Sequence, residues 1–128
     1  MMKELAPFFY VGTGGFLGAV TRYGLTLMSQ RFVVVLPMGT LLSNLLGCLA
    51  IGLIMGLAAD TQIIRPEMRL LLATGFCGGF TTMSSMVYEL SQFIRDHEFF
   101  YATGYFGITI AGCLICFYLG LLLTRLLH

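Results

Sequence analysis

The sequence predicts an all-α membrane protein with four transmembrane helices, and two observations carry that reading. Of its 128 residues, 58% are hydrophobic and only 10% charged, far below the roughly 25% charged residues of a soluble domain. The few charges also fall between four apolar runs, each near the ~20 residues a helix needs to cross a bilayer. A chain this poor in charge cannot cover its own surface in water, so lipid is the expected solvent. One transmembrane domain, residues 1–128, takes up the whole length.

The runs lie at about 5–28, 38–59, 70–93 and 99–126. The first is interrupted only by Arg22. No basic stretch with a following cleavage site precedes it, so it is expected to stay in the mature protein. The second is opened by Pro37 and carries no charge. The third follows Pro66, a residue suited to the first turn of a helix. It holds Glu89 near its end, read as a solvated helix terminus. The fourth is uncharged until Arg125. Short connections, including residues 60–69 and 95–98, make successive helices antiparallel neighbours.

An even number of spans places both termini on one side, with Lys3, Arg65, Arg69 and Arg125. Arg31, Arg95 and Arg22 fall on the other. Four against three is a weak Lys/Arg bias for fixing orientation, so insertion both ways round, and an antiparallel dimer, is expected. Glycine numbers 16, and Gly14 with Gly18, and Gly52 with Gly56, are spaced for close helix packing in lipid. Four thin helices do not readily enclose a pore, so a second copy is expected to complete one.

Several functions are excluded. A net charge of +1 with no basic tract gives no reason to expect nucleic acid. Cys48, Cys77, Cys113 and Cys116 lie within apolar runs without zinc-site spacing and read as small packed residues. His97 and His128 are at loop or terminal positions, and no deep Ser–His or Cys–His pair is evident, so the chain is not expected to be an enzyme.

Polar residues inside a membrane are expensive and mark function by default. The second run offers Thr40, Ser43, Asn44 and Cys48, with Thr40, Asn44 and Cys48 on one face. Asn44 reads either as an interhelical hydrogen bond or as a polar group on a solute path. The fourth run places Tyr101, Tyr105, Thr109 and Cys113 four apart. The third holds Gly75-Phe76-Cys77-Gly78-Gly79-Phe80-Thr81-Thr82-Met83-Ser84-Ser85-Met86, rich in poor helix formers. A break is expected over Gly78 to Thr82, where freed carbonyls make a cation site and the following half-helix starts with a positive dipole end. Arg22 reads either as snorkelling to the headgroups or as a vestibule charge.

Taken together, Gly14-Gly15-Phe16-Leu17-Gly18-Ala19 with Arg22-Tyr23, Gly39-Thr40-Leu41-Leu42-Ser43-Asn44-Leu45-Leu46-Gly47 and Thr74-Gly75-Phe76-Cys77-Gly78-Gly79-Phe80-Thr81-Thr82 resemble the Fluc, or CrcB-type, fluoride channel family over nearly the whole chain. The resemblance implies a dual-topology antiparallel homodimer in the plasma (inner) membrane. It implies passive, selective export of fluoride from the cytoplasm through two pores lined by both subunits. It places a structural sodium ion at the dimer centre on the carbonyls of Gly78 and Thr81. Asn44 becomes the pore amide, Tyr105, Thr109 and Cys113 a polar track, and Thr40 and Ser84 adjacent candidates. The family usually reads Thr-Thr-Phe-Ser-Thr-Phe at the break, where its phenylalanines line the pores. Met83 and Met86 stand there instead. The departure leaves open an altered rate, weak conduction, or dependence on a different second chain. Two other functions stay in view: a small proton-coupled multidrug exporter, for which no well-placed intramembrane acid is evident, and a non-conducting membrane assembly subunit.

Overall fold

The computed structural model describes residues 1–32, 35–60 and 63–127, all helix and connection, with no strand among them. Residues 61 and 62 of the expected middle connection, and His128, lie outside the described residues. Helix α1 is Met2–Ser29, α2 is Met38–Asp60, α4 is Met83–Arg95 and α5 is Phe99–Leu126. Between α2 and α4, α3 covers residues 66–80. It opens with a turn at Pro66–Arg69, widens into a π-helix at Leu70–Cys77 and closes as Gly78–Phe80.

Among the described residues, three stretches are long and apolar enough to cross a membrane: Met38–Ala59, Pro66–Arg95 and Phe99–Leu126. Helix α1 has 28 residues, as many as α5, but Gly12, Thr13, Gly14, Gly15, Gly18 and Thr21 dilute its apolar character. The third stretch runs longer at both ends than the expected 70–93, because Pro66 starts it one turn early and the chain turns only after Arg95. There His97 takes a left-handed φ of 59°.

The break in the third stretch is narrower than the sequence suggests. Gly78 and Gly79 stay helical, and only Thr81 (φ −87°, ψ 155°) and Thr82 (φ −153°, ψ 115°) are extended. The reason lies in packing. A Cβ at Gly79 would collide with the backbone of Gly15, so this glycine serves close approach to α1 rather than chain reversal. The β-branched threonines adopt extended backbone readily. Thr82 then caps α4, its Oγ1 accepting from the Ser85 N–H at 3.2 Å.

Packing pairs the helices two by two. Helix α2 lies mainly along α5, and α1 along α3. At both seams backbones touch. A Cβ on Gly14 or Gly18 would strike the backbone of Leu71, Phe76 or Phe80, and one on Gly52 or Gly120 the backbone of the facing helix. In lipid, where apolar side chains gain little by leaving the solvent, such backbone proximity is a main source of helix association. Met86, Leu41 and Tyr105 form the buried cluster, with Leu36, Met38, Leu45, Leu90 and Phe93 around it. Only 11% of the apolar window of α5 is buried within the chain, so most of that helix faces lipid or another protein surface.

Candidate functional site

The extended pair Thr81–Thr82 opposes Asn44 on α2. The Asn44 amide bridges the break with two bonds: its Oδ1 accepts from the Thr82 N–H at 2.7 Å, and its Nδ2 donates to the Thr82 carbonyl at 3.2 Å. Asn44 is therefore an interhelical clasp as well as a polar group at a cavity wall. An amide nitrogen carries two hydrogens, so one N–H remains for a further acceptor.

This clasp decides which carbonyls are released. In a continuous helix the Thr82 N–H would close on the Gly78 carbonyl, but Asn44 takes it. The Ser85 N–H would close on the Thr81 carbonyl, but it goes to Thr82 Oγ1. Gly78 and Thr81 thus lose their helical partners, whereas the Cys77 carbonyl keeps two, accepting from the Thr81 N–H and hydroxyl, each at 2.9 Å. Arg22 Nε donates to the next carbonyl, Gly79, at 3.2 Å. Arg22 neither snorkels outright nor stands free: it is part-buried and tied to the broken helix. The two freed carbonyls beside an open, exposed Gly78 have the hard oxygen character an alkali cation takes.

A cavity of about 270 Å³ opens beside the break, lined by Asn44, Cys48, Thr81, Thr82, Met83, Met86, Thr109 and Cys113 among others. The structure thereby brings Asn44, Met83, Met86, Thr109 and Cys113 together. Met83 is 63% exposed and Met86 only 2%, so the two methionines differ in setting. Tyr105, 0% exposed, is packed one turn before Thr109. Ser84 does not line the cavity; it is exposed and shares a 3.1 Å hydrogen bond with Thr82 Oγ1.

Glu89 is the residue that sequence reading misplaced. It is half-buried rather than a solvated end. Its carboxylate accepts from Thr40 Oγ1 and from the Tyr105 hydroxyl, both at 2.6 Å, in the short range of charge-assisted bonds. Its position three residues after Met86, close to the same helix face, was the available signal. Glu89 also borders two wider hollows, of about 410 and 370 Å³, reached past Pro37, Leu36 and Gln92 or past Thr26 and Ser29. Thr109 Oγ1 donates back to the Tyr105 carbonyl at 2.7 Å. Each hydroxyl of the expected track therefore has an acceptor within the chain, and no buried polar side-chain atom among the described residues is unsatisfied.

The family described as CrcB-like protein, Camphor Resistance (CrcB), matches residues 9–121. The chain is 45% identical over 126 residues, 98% of each chain, to a protein of Chlorobium phaeobacteroides (strain BS1) named fluoride-specific ion channel FluC. It is 45% identical over 125 residues, again 98% of each, to one of the same name from Prosthecochloris aestuarii. A relative so named in the archaeon Methanococcus aeolicus is 38% identical over 125 residues, 96% of each. These relatives are named as ion channels, and the family is non-enzymatic. With this likeness over nearly its full length, and with apolar helices suited to spanning, the chain is a multi-pass membrane protein that belongs to the CrcB family.

Proposed function

We propose that the chain conducts fluoride passively and selectively across the plasma (inner) membrane, as an antiparallel dimer that lets the anion leave the cytoplasm. Helix α1 is the fourth span of that arrangement. The observation that carries the reading is the cavity of neutral donors around Asn44 in a chain whose relatives, matched almost end to end, are named fluoride-specific channels.

The chemistry is consistent with such a solute. Fluoride is small and strongly hydrated, so a path for it needs donors at close range. Asn44 has one N–H in reserve. The hydroxyls of Thr40, Tyr105 and Thr109 are engaged with acceptors inside the chain. An arriving anion exchanges one acceptor for another at each of them. Such exchanges change free energy by only about 1 kcal/mol net, which suits a site that must also release its ion. Glu89 holds two of these hydroxyls, and its charge opposes lingering of an anion beside it. The same carboxylate supplies the intramembrane acid that an exporter would use, and each of its oxygens accepts from a hydroxyl of this chain.

Sodium belongs to the proposal as well. The carbonyls of Gly78 and Thr81 would hold it, and its charge would offset their exposure at membrane depth. Arg22, bonded to Gly79, steadies the same stretch of backbone. Met83 and Met86 replace aromatic edges, which carry partial positive charge, with thioethers that are weak acceptors.

The test is fluoride efflux from liposomes containing only this protein, with chloride as the comparison anion. Fast fluoride loss without chloride loss is expected. A folded dimer that releases no fluoride would overturn the reading and favour a non-conducting subunit or a need for a different partner chain.

A further inference from the structure

The cavity beside the break is unusual in what lines it. Three helices bring four sulfur atoms to one space of about 270 Å³: Cys48 from α2, Cys113 from α5, and Met83 and Met86 from α4. Cys48 and Cys113 both line this space, and neither is in a disulfide. Thiols and thioethers are the donors that select monovalent d10 cations over the hard ions of the surrounding solution.

We propose that this cavity is a binding site for a thiophilic monovalent cation, copper(I) or silver(I), held by Cys48 and Cys113 with a methionine thioether completing the set. Binding deprotonates one thiol: a sulfur–metal bond forms, an S–H bond breaks, and the proton leaves to water. No electron moves. One thiolate and one cation leave the site with no net charge, so the complex avoids the large penalty of an isolated ion in apolar surroundings. The second thiol and the thioether are neutral donors. Met83, largely exposed, is free to swing its sulfur inward, whereas Met86 is fixed by packing against Leu41 and Tyr105.

The site rests on the side chains that line the cavity, and stands apart from whether that cavity carries fluoride. The probe is silver(I) nitrate in chloride-free buffer, titrated into the detergent-purified full chain. One silver per chain is expected, with sulfur as its direct neighbour in X-ray absorption spectra. Loss of even an outer partner weakens metal sites by about tenfold or more. The Cys48→Ser and Cys113→Ser variants should therefore each weaken silver binding by at least that factor, while Cys116→Ser, outside the cavity lining, leaves it unchanged. Equal affinity in wild type and a folded double variant, or spectra of the wild type without sulfur neighbours, would overturn the proposal. A fluoride efflux arm separates the two readings. Silver that binds and slows efflux places both functions in one cavity. Silver that binds without slowing efflux upholds the metal site and removes the cavity from the anion's route.

Discussion

Asn44 clasps the fold and, in the proposed pore, keeps one donor in reserve for the solute. Its carbonyl and one N–H clasp the backbone of Thr82, and its other N–H is what an anion could use. Asn44→Asp keeps an acceptor for the Thr82 N–H but leaves the Thr82 carbonyl without its donor and faces the cavity with a negative charge. Fluoride efflux should fall to the protein-free background, and efflux at the wild-type rate would remove Asn44 from the path. Asn44→Ala strands both Thr82 groups. It should lower stability by about 1–3 kcal/mol, the range for buried groups left unpaired, as read from thermal unfolding in detergent. The methionines are a second case. Met83→Phe changes an exposed side chain and should alter stability within about 0.5 kcal/mol while preserving or raising efflux. Met86→Phe must fit a ring against Leu41, Tyr105 and Leu90, and overpacking of that kind costs about 1–3 kcal/mol. Loss of efflux in Met83→Phe would mean the thioether is adapted to this pore. The sequence made Asn44 legible because a lone amide in an apolar run has few roles. It left Glu89 illegible because position along a helix says nothing of depth once that helix is broken and its second half re-aimed at α5.

At the scale of the helix, the glycines divide by what they touch. Those of α1 and α3 interlock, Gly14 and Gly18 against Leu71, Phe76 and Phe80, and Gly79 against Gly15. Gly52 meets Phe117 and Gly120 across the other seam. Gly78 meets nothing and lies where the freed carbonyls are. Gly52→Leu should therefore part α2 from α5 and reduce the folded yield in detergent. Gly78→Ala, with open space for its methyl group, should fold normally. A folded Gly52→Leu protein with unchanged melting temperature would show that the seam can open without loss. The small-residue spacing forecast these seams, since nothing larger lets two backbones meet in lipid. It could not forecast that the break would shrink to Thr81 and Thr82, because that depends on which glycines another helix occupies. The clasp by Asn44 and the cap by Thr82 then leave the carbonyls of Gly78 and Thr81 without their helical partners. Replacing sodium with a large organic cation on both sides should weaken the dimer or slow efflux, and indifference of both would remove the cation from the break.

For the molecule as a whole, the proposed dimer would have to supply what the single chain leaves open. The π-helical stretch and the break sit on one side of a bundle whose last helix is mostly uncovered. The cavity beside the break has Met83 exposed at its edge, where the second subunit of the proposed dimer would close it. Charge gives little guidance on how the chain enters the membrane. Lys3, Arg65, Arg69 and Arg125 oppose Arg22, Arg31 and Arg95, four against three. Orientation is set by Lys and Arg near the ends of the spans, so a margin this small should yield both orientations. The measurement is the accessibility of a cysteine placed after Leu127, in a variant whose four native cysteines are serine and whose efflux is intact, to a membrane-impermeant thiol reagent in sealed, right-side-out cells. About half the chains should react before lysis and the rest only after it. If four lysines are added to the connection after Arg95, making seven against four, the population should shift toward one orientation, and efflux should fall as antiparallel pairs become scarce. Labelling that is complete or absent before lysis would instead show one fixed orientation, and with it a parallel assembly or a partner chain of opposite bias.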